Sequence, residues 1–317
     1  MKITQYIENA TETLFSIEIL PPLKGKSIDS IYNGIDPLME FKPVFVDVTY
    51  HREEYIYRKR LDGGLDKIST RKRPGTVAIC AAIMNRYKVE AVPHIICGGF
   101  SKEETENALI DLHFLGIENV LALRGDSIKN DPQFYAEPDG NKNALELIQQ
   151  VINMNNGIYL DQELTNPFPT DFCTGVACYP EKHFEAPNMT SDLNFLKRKV
   201  EAGARYAVTQ MFFDNSKYFE FVAKCKEMDI QIPIIPGLKP LTTKKQLSIL
   251  PKIFAIDIPE ELANEVEKAT DDKAVKQIGI EWAIKQSKEL KEAKVPVLHY
   301  YTMGQSEATK AIASQVF

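Results

Sequence analysis

The sequence predicts a single α/β domain of the (β/α)8 TIM-barrel class. Short runs of β-branched and aromatic residues alternate with helical patterns, eight such runs can be proposed, and no internal repeat or Pro/Ser-rich linker divides the chain. This alternation is typical of a parallel sheet built from βαβ units, and eight strands favour closure into a barrel. We therefore expect one domain over residues 1–317.

The predicted strands are distributed along the whole chain. They cover residues 14–20, 44–50, 91–97, 119–124, 174–179, 205–212, 230–235 and 295–301. Residues 51–74, between the second and third strands, are rich in Arg, Lys and Asp and contain the Gly63-Gly64 pair. We interpret them as a long excursion above the second strand.

Start and stop signals define several of the intervening helices. Ser101 and Glu104 have the spacing of a capping box, and Gly116 follows the last apolar residues of that helix. Another helix is predicted to begin near Thr190 and to end at Gly203. Two last helices, predicted over residues 271–293 and 305–316, would complete the outer layer of the barrel.

The charge and residue composition of the chain indicate which kinds of molecule it binds. A formal net charge of -6 gives no basic surface for nucleic acid or an anionic membrane, so we expect a small-molecule substrate. No apolar run is long enough to span a membrane, and the first residues lack the apolar segment of a secretory signal. Five cysteines are scattered without a CxxC pair, which is typical of reduced thiols and predicts a cytoplasmic location.

Common nucleotide, metal and hydrolase motifs are missing from the sequence. It contains neither G-x-G-x-x-G nor G-x-x-x-x-G-K-[ST], so a nucleotide cofactor would be held in another way. Cys173, Cys178 and His183 have unorthodox zinc spacing, and we expect no metal site. A G-x-S-x-G elbow is also missing, which argues against a serine hydrolase. In a parallel barrel, the site is expected where the carboxyl ends of the strands meet.

Glu18 lies in the first predicted strand, which Pro21 and Pro22 terminate. Strand alternation directs Ser16, Glu18 and Leu20 to one side. If that side is the barrel interior, burial raises the pKa of the carboxyl and leaves an acid that can donate a proton near neutral pH. Pairing of a strand glutamate with Lys or Arg at the rim is an equally good interpretation of the spacing.

The fourth predicted strand ends in Arg124, Gly125 and Asp126. Gly125 would allow a flat ligand to approach the backbone, whereas an Arg–Asp pair in an ordinary turn is the structural alternative. His94 interrupts an apolar strand, as a ligand-binding or a core histidine would. Tyr179 and His183 follow the fifth strand, where either a ligand or a plain surface loop can be placed.

Two further pairs have both structural and functional interpretations. Asp192 and Lys199 are seven residues apart on one predicted helix, so they share a face that is either a solvated charged stripe or part of a site. Gln210 closes the sixth strand, and its amide could serve the donors and acceptors of a heterocycle. Gln246 lies on the next helical segment, where it could face Gln210.

Taken together, these segments resemble the methylenetetrahydrofolate reductase family over residues 15–303, with the motifs in the same order. The motifs are Ser16-Ile17-Glu18-Ile19-Leu20-Pro21-Pro22, Val48-Thr49-Tyr50, Pro93-His94-Ile95-Ile96-Cys97, residues 121–126, residues 177–186, residues 193–199, Ala202-Gly203-Ala204, residues 209–214, Ile234-Ile235-Pro236-Gly237 and Tyr300-Tyr301-Thr302.

The resemblance implies an FAD-dependent enzyme of one-carbon metabolism and methionine biosynthesis. Such an enzyme holds FAD non-covalently, takes a hydride from NADH or NADPH, and reduces 5,10-methylenetetrahydrofolate to 5-methyltetrahydrofolate in ping-pong order. We also expect a homo-oligomer.

The resemblance further assigns roles by motif position. Glu18 corresponds to the general acid that helps to open the folate ring, and Asp126 to a carboxylate beside flavin and pterin. Substrate contacts correspond to Glu18, Gln210, Gln246 and Tyr301. The positions that hold FAD correspond to Thr49, His94, Arg124, Gly125, Asp126, Ala177, Tyr179, His183, Asp192 and Lys199.

Departures from the family pattern leave alternatives open. Leu250 stands where the family often has a Phe that stacks on nicotinamide or folate, and Gln305 stands where it often has an Arg. Leu250 therefore motivates an alternative, a flavin-binding subunit of a larger folate-reducing redox complex that takes electrons from a protein partner. A pterin-binding methyltransferase barrel without flavin is a second alternative.

Overall fold

A computed structural model describes residues 1–52, 54–70, 73–127 and 133–317, with the backbone alone at residues 54, 55, 69 and 70. The strands are β1 (Leu14–Ile19), β2 (Phe45–Val48), β3 (Glu54–Lys59), β4 (Leu65–Thr70), β5 (Glu90–Ile96), β6 (Asn119–Leu123), β7 (Cys173–Cys178), β8 (Tyr206–Thr209), β9 (Ile234–Ile235), β10 (Gly237–Leu238) and β11 (Val297–Tyr301).

The α-helices are α1 (Ile3–Asn9), α2 (Asp29–Ile35), α3 (Thr76–Tyr87), α4 (Lys102–Phe114), α5 (Ala144–Asn155), α6 (Met189–Glu201), α7 (Asn215–Glu227), α8 (Gln246–Phe254), α9 (Glu260–Lys268), α10 (Asp272–Glu292) and α11 (Ser306–Val316). A 3-10 helix (Asp36–Phe41) follows α2. In the part of the chain that the structure describes, no helix is both long and apolar enough to cross a membrane.

Nine parallel strands form a nearly closed barrel, in the order β10-β11-β1-β2-β5-β6-β7-β8-β9. The short strands β9 and β10 flank Pro236 and pair with β8 and β11 respectively, so together they occupy one of eight barrel positions. The predicted TIM-barrel fold is therefore confirmed. The seventh predicted strand pairs over fewer residues than expected, because Pro233 and Pro236 have no N–H to donate to a ladder.

Two apolar layers surround the strands. Alternate strand residues such as Val46 and Val120 pack against the helices and form the larger core. The opposite residues, including Phe45, Val92 and Tyr206, fill the lower half of the barrel interior. Ile3 of α1 is fully buried against this interior cluster, and its N–H donates to Asn119 Oδ1 at 2.9 Å. These contacts close the amino end of the barrel in the described part of the chain.

The excursion after β2 contains regular structure that the sequence analysis did not predict. Strands β3 and β4 pair antiparallel, from Glu54 opposite Thr70 to Lys59 opposite Leu65. Gly63 lies in the connecting turn with φ +87°. Most of the described hairpin side chains are exposed, so no buried face produces the hydrophobic alternation that would have revealed the strands. Residues 53, 71 and 72 of this excursion lie outside the described residues.

Helix boundaries agree closely with the signals in the sequence. Ser101 caps α4 by accepting a hydrogen bond from the Glu104 N–H at 3.1 Å, and the Glu104 carboxylate accepts one from the Ser101 N–H at 2.8 Å. The helix predicted near Thr190 begins at Met189 instead, because the Asn188 side chain is its cap. Gly203 follows that helix with φ +120°.

Candidate active site

One cavity of about 1420 Å³ lies at the carboxyl ends of the barrel strands. Every site residue predicted from the sequence lines it: Glu18, Thr49, His94, Arg124, Gly125, Asp126, Ala177, Tyr179, His183, Asp192, Lys199, Gln210, Gln246 and Tyr301. These residues come from strands and loops all around the barrel, and they meet because parallel strands deliver their carboxyl ends to the same face.

Glu18 lies at the base of this cavity with 9% of its surface exposed. Burial raises the pKa of its carboxyl to about 7, with the charge of Asp47 adding to the rise and the charges of His94 and Lys239 opposing it. The partner at ion-pair distance is His94, whose Nε2 is 3.5 Å from Glu18 Oε2. A pairing with Lys or Arg at the rim, the alternative from spacing, is not among the described ion pairs of Glu18.

The loop after β6 places a cation, a glycine and an anion at the cavity wall. Gly125 has φ +85°, and a Cβ at this position would lie 3.3 Å from Ile96 Cβ. Arg124 does not form the Arg–Asp pair of the structural alternative, since both ends of its guanidinium contact the Glu185 carboxylate, with Nη2 at 3.1 Å from Oε1. Asp126 is exposed to the cavity.

Helix α6 and the loop before it contribute the buried cation of the cavity. Lys199 is only 5% exposed, and its ammonium donates to the Ala177 carbonyl at 2.6 Å. Burial lowers the pKa of Lys199. Asp192 accepts a hydrogen bond from the His183 N–H at 2.8 Å, and the His183 ring packs edge-on against Tyr179. The interpretation of Lys199 as part of a solvated charged stripe is therefore wrong.

The opposite wall carries the two predicted glutamines and the end of β11. Gln246 Oε1 accepts hydrogen bonds from the N–H groups of Thr242 and Thr243 at 2.6 and 3.0 Å, which fixes the turn before α8. The Tyr301 hydroxyl donates to the carbonyl of Thr209 at 2.5 Å. Leu250 is buried in this wall.

Sequence reasoning missed several polar residues beneath and beside Glu18. Asp47 and His299 are completely buried in the barrel interior, and Ser16 contacts His299 with its hydroxyl 2.8 Å from Nδ1. Lys239 follows β10 and lines the cavity. The available signal was a polar residue inside an apolar strand, as in Val46-Asp47-Val48 and Leu298-His299-Tyr300.

The family model and the curated relatives that match this chain carry the same family name. The family model described as "Methylenetetrahydrofolate reductase" matches residues 2–316. The "5,10-methylenetetrahydrofolate reductase" of Escherichia coli (strain K12) is 31% identical over 300 residues, which cover 94% of this chain and 88% of that protein. "Methylenetetrahydrofolate reductase (NADH) 1" of Arabidopsis thaliana is 32% identical over 316 residues, which cover 96% of this chain and 48% of that protein.

This chain spans about half the length of the first curated relatives that it matches, including the Arabidopsis protein at 48%. Among solved structures, an oxaloacetate acetylhydrolase superposes with a TM-score of 0.50 at 10% identity, covering 99% of this chain and 82% of that one, which shows the fold alone. The family model covers nearly the full chain, from residue 2 to residue 316, and the chain therefore belongs to the methylenetetrahydrofolate reductase family.

Proposed function

We propose that this protein reduces 5,10-methylenetetrahydrofolate to 5-methyltetrahydrofolate, with non-covalent FAD and with NADH or NADPH as the donor. The observation that carries the proposal is the state of Glu18. A carboxyl with a pKa of about 7, raised mainly by burial, retains a proton near neutral pH and lies at the base of a large open cavity. This is what protonation of a folate nitrogen requires.

The volume of the cavity supports the proposed binding of a flavin dinucleotide. Its volume of about 1420 Å³ exceeds the roughly 300–1,000 Å³ that is typical of small-ligand pockets, so a dinucleotide and a second ligand can share it. Gly125 lines the cavity with φ +85°, and a side chain there would press on Ile96, with its Cβ 3.3 Å from Ile96 Cβ. Lys199 supplies a buried positive charge that suits a diphosphate.

When bound, FAD would store the hydride between its delivery by the nicotinamide and its transfer to the folate. Thr49, Arg124 and Tyr179, which follow β2, β6 and β7, and Asp192 of α6 would hold it at the rim, with the remaining wall residues named above. The protein's own contribution is then position, charge and a proton.

Glu18 acts on the folate in this proposal. Its neutral carboxyl donates a proton to the substrate nitrogen, which opens the five-membered ring and produces an iminium that can accept hydride. His94, 3.5 Å away, faces the carboxylate that Glu18 becomes after the transfer. Gln210 and Gln246 would orient the two substrates, which occupy the same region of the cavity in turn.

The test separates the two half-reactions in the FAD-loaded chain. Glu18→Gln keeps the volume of the side chain but removes the proton, so bleaching of the visible absorption by NADH or NADPH should be unchanged. Reoxidation by the folate should slow by about 100-fold or more, the usual contribution of a general acid. The exposed Glu12→Gln variant is the matched control. Equal slowing of both half-reactions would show that Glu18 has a structural role instead.

Leu250 supports a second candidate, a flavin-binding subunit that receives electrons from a protein partner. The buried leucine offers no aromatic ring on which a nicotinamide could stack. Steady-state assays of the purified chain with NADH and with NADPH decide between the two. Turnover of the folate without any other protein excludes the subunit, and reduction only by dithionite supports it.

A further inference from the structure

A cluster of four ionisable side chains lies inside the barrel, directly below the cavity. Glu18 of β1, Asp47 of β2, His94 of β5 and His299 of β11 point into the interior from different strands. His94 Nε2 is 3.5 Å from Glu18 Oε2 and 3.6 Å from Asp47 Oδ2, and His299 Nε2 is 3.7 Å from the same Asp47 oxygen. One imidazole thus stands between the two carboxyls.

Asp47 is the least expected member of this cluster. It is 0% exposed, and the imidazole nitrogens that face its carboxyl lie at 3.6 Å (His94 Nε2) and 3.7 Å (His299 Nε2), beyond ordinary hydrogen-bond distance. A buried carboxylate without partners is costly, because it loses its hydration and gains nothing in return. Its compensation must come from the facing nitrogens of His94 and His299, which are themselves buried without a hydrogen bond in the described part of the chain.

The contacts of the histidines indicate where their protons lie. The Ser16 hydroxyl is 2.8 Å from His299 Nδ1, while Nε2 of the same ring faces Asp47. A proton on Nε2 satisfies both contacts, since Nδ1 then accepts from Ser16 and Nε2 points its hydrogen at the carboxyl. Burial lowers the pKa of His299 to about 4, so this ring is neutral. Burial also acts against the charge on His94, but Asp47 and Glu18 outweigh it and raise the pKa of His94.

Other titratable groups around the cluster include Cys80, Tyr206, Tyr301 and Lys239. Asp47 interacts with Cys80, Tyr206 and Tyr301, and burial raises the pKa of each of these groups, which keeps them neutral. Lys239, which follows β10, acts on Glu18 and lowers the pKa of its carboxyl, and burial lowers the pKa of the Lys239 ammonium. The balance of charge next to Glu18 therefore depends on Asp47, His94 and Lys239, and among these three Asp47 is the group that raises the pKa of Glu18.

We propose that Glu18 and His94 share protons as one unit, in which the buried carboxylate of Asp47 is a positioning residue that retains a proton on this pair and faces His299 on its other side. This inference rests on the proposed function of Glu18 and deepens it. Asp47 does not line the cavity, so it acts only through its two neighbours. A negative charge at this position increases the proton affinity of the Glu18–His94 pair as a whole, so the pair loses its last proton at a higher pH.

The experiment replaces Asp47 in the full FAD-loaded chain. Asp47→Asn and Asp47→Ser both remove the charge with little added volume. The folate half-reaction is measured from about pH 5 to about pH 9, where it should decline as Glu18 loses its proton. Both variants should shift the midpoint of this decline downward by about one pH unit or more. A midpoint that stays in place or moves upward in both variants overturns the proposal.

Infrared spectroscopy of the protein without substrate provides a second readout. The carbonyl band of a protonated carboxyl should be present in the wild-type protein and missing in Glu18→Gln. A proton-sharing unit should titrate this band over a wider pH range than a single site does, and a single-site curve contradicts the proposal even if no Asp47 variant folds. This readout needs no folate. If the band titrates over the wider pH range but the protein never reduces folate, proton sharing stands and only the proposed function is refuted.

Two controls separate proton sharing from packing and from metal binding. Tyr206→Phe removes a buried hydroxyl that interacts with Asp47 but leaves the charge in place, so its midpoint should match that of the wild type. An equal shift in this variant would attribute the effect to packing and overturn the proposal. Ligand atoms of Glu18, Asp47 and His299 lie within 4.8 Å of one another, a spacing that would admit a cation. Stoichiometric divalent metal in the purified protein would likewise overturn proton sharing.

Discussion

Replacement of Glu18 by Gln should stabilise the protein, and the gain should depend on pH. The pKa of Glu18 rises from 4.5 to about 7 on folding, chiefly through burial. The pKa of Glu18 in the folded protein lies above its value in the unfolded chain. The contribution of this carboxyl to stability is therefore fully present below pH 4.5 and is lost as the pH rises through 7. At 1.36 kcal/mol for each pKa unit, the ionised carboxylate costs about 3 kcal/mol above neutral pH.

Gln resembles the protonated acid in size and carries no charge, so the variant should avoid this loss. Urea unfolding of both proteins at about pH 5 and about pH 8.5, without folate or nicotinamide, measures the difference. The advantage of the variant in unfolding free energy should grow by about 2–3 kcal/mol between the two pH values. The exposed Glu12→Gln control should show no such growth. A pH-independent difference for Glu18→Gln would refute the argument that burial holds the proton on this carboxyl.

Two further substitutions probe the proposed cofactor-binding wall of the cavity and the barrel interior. Lys199→Met removes the ammonium that donates to Ala177 and should weaken FAD binding by about 10- to 100-fold, measured by fluorescence titration of the apoprotein; unchanged affinity would remove Lys199 from the cofactor site. Gly175→Ala places a Cβ 2.2 Å from the buried Tyr206 ring and should lower the unfolding free energy by about 1–3 kcal/mol. The control is Gly34→Ala, whose Cβ would meet only a carbonyl oxygen, at 3.8 Å. Equal effects at the two glycines would contradict the overpacking argument.

The barrel could be predicted because its strands are buried on both faces. Runs such as residues 14–20 and 91–97 are mostly apolar, and each lies between two helical segments. The hairpin of β3 and β4 could not be predicted in the same way, because water covers most of its described side chains and polar residues are tolerated on both faces. The hairpin has no buried face, and without one its sequence shows no hydrophobic alternation.

The rim of the site was predictable for a related reason. Polar residues that end apolar strands, such as Arg124 and Gln210, stand out in the sequence, and the barrel topology places all strand ends on one face. The contacts that these rim residues make were harder to predict from the sequence. The Arg124–Glu185 contact joins residues 61 positions apart, and the Lys199 contact with the Ala177 carbonyl depends on how α6 packs on β7. Such contacts are properties of packing, which periodicity does not encode.

The floor of the site shows where sequence reasoning stops and strand register begins. On β2 the interior residues are Phe45 and then Asp47, one alternation higher, so the same strand supplies an apolar plug and a buried carboxyl. Glu18 pairs in register with Asp47 on one side and with Tyr301 on the other. A shift of one residue in either pairing would turn one of these side chains outward. The proton on Glu18 therefore depends on the ladders of β1, and the apolar layer that closes the barrel is also what keeps water away from this acid.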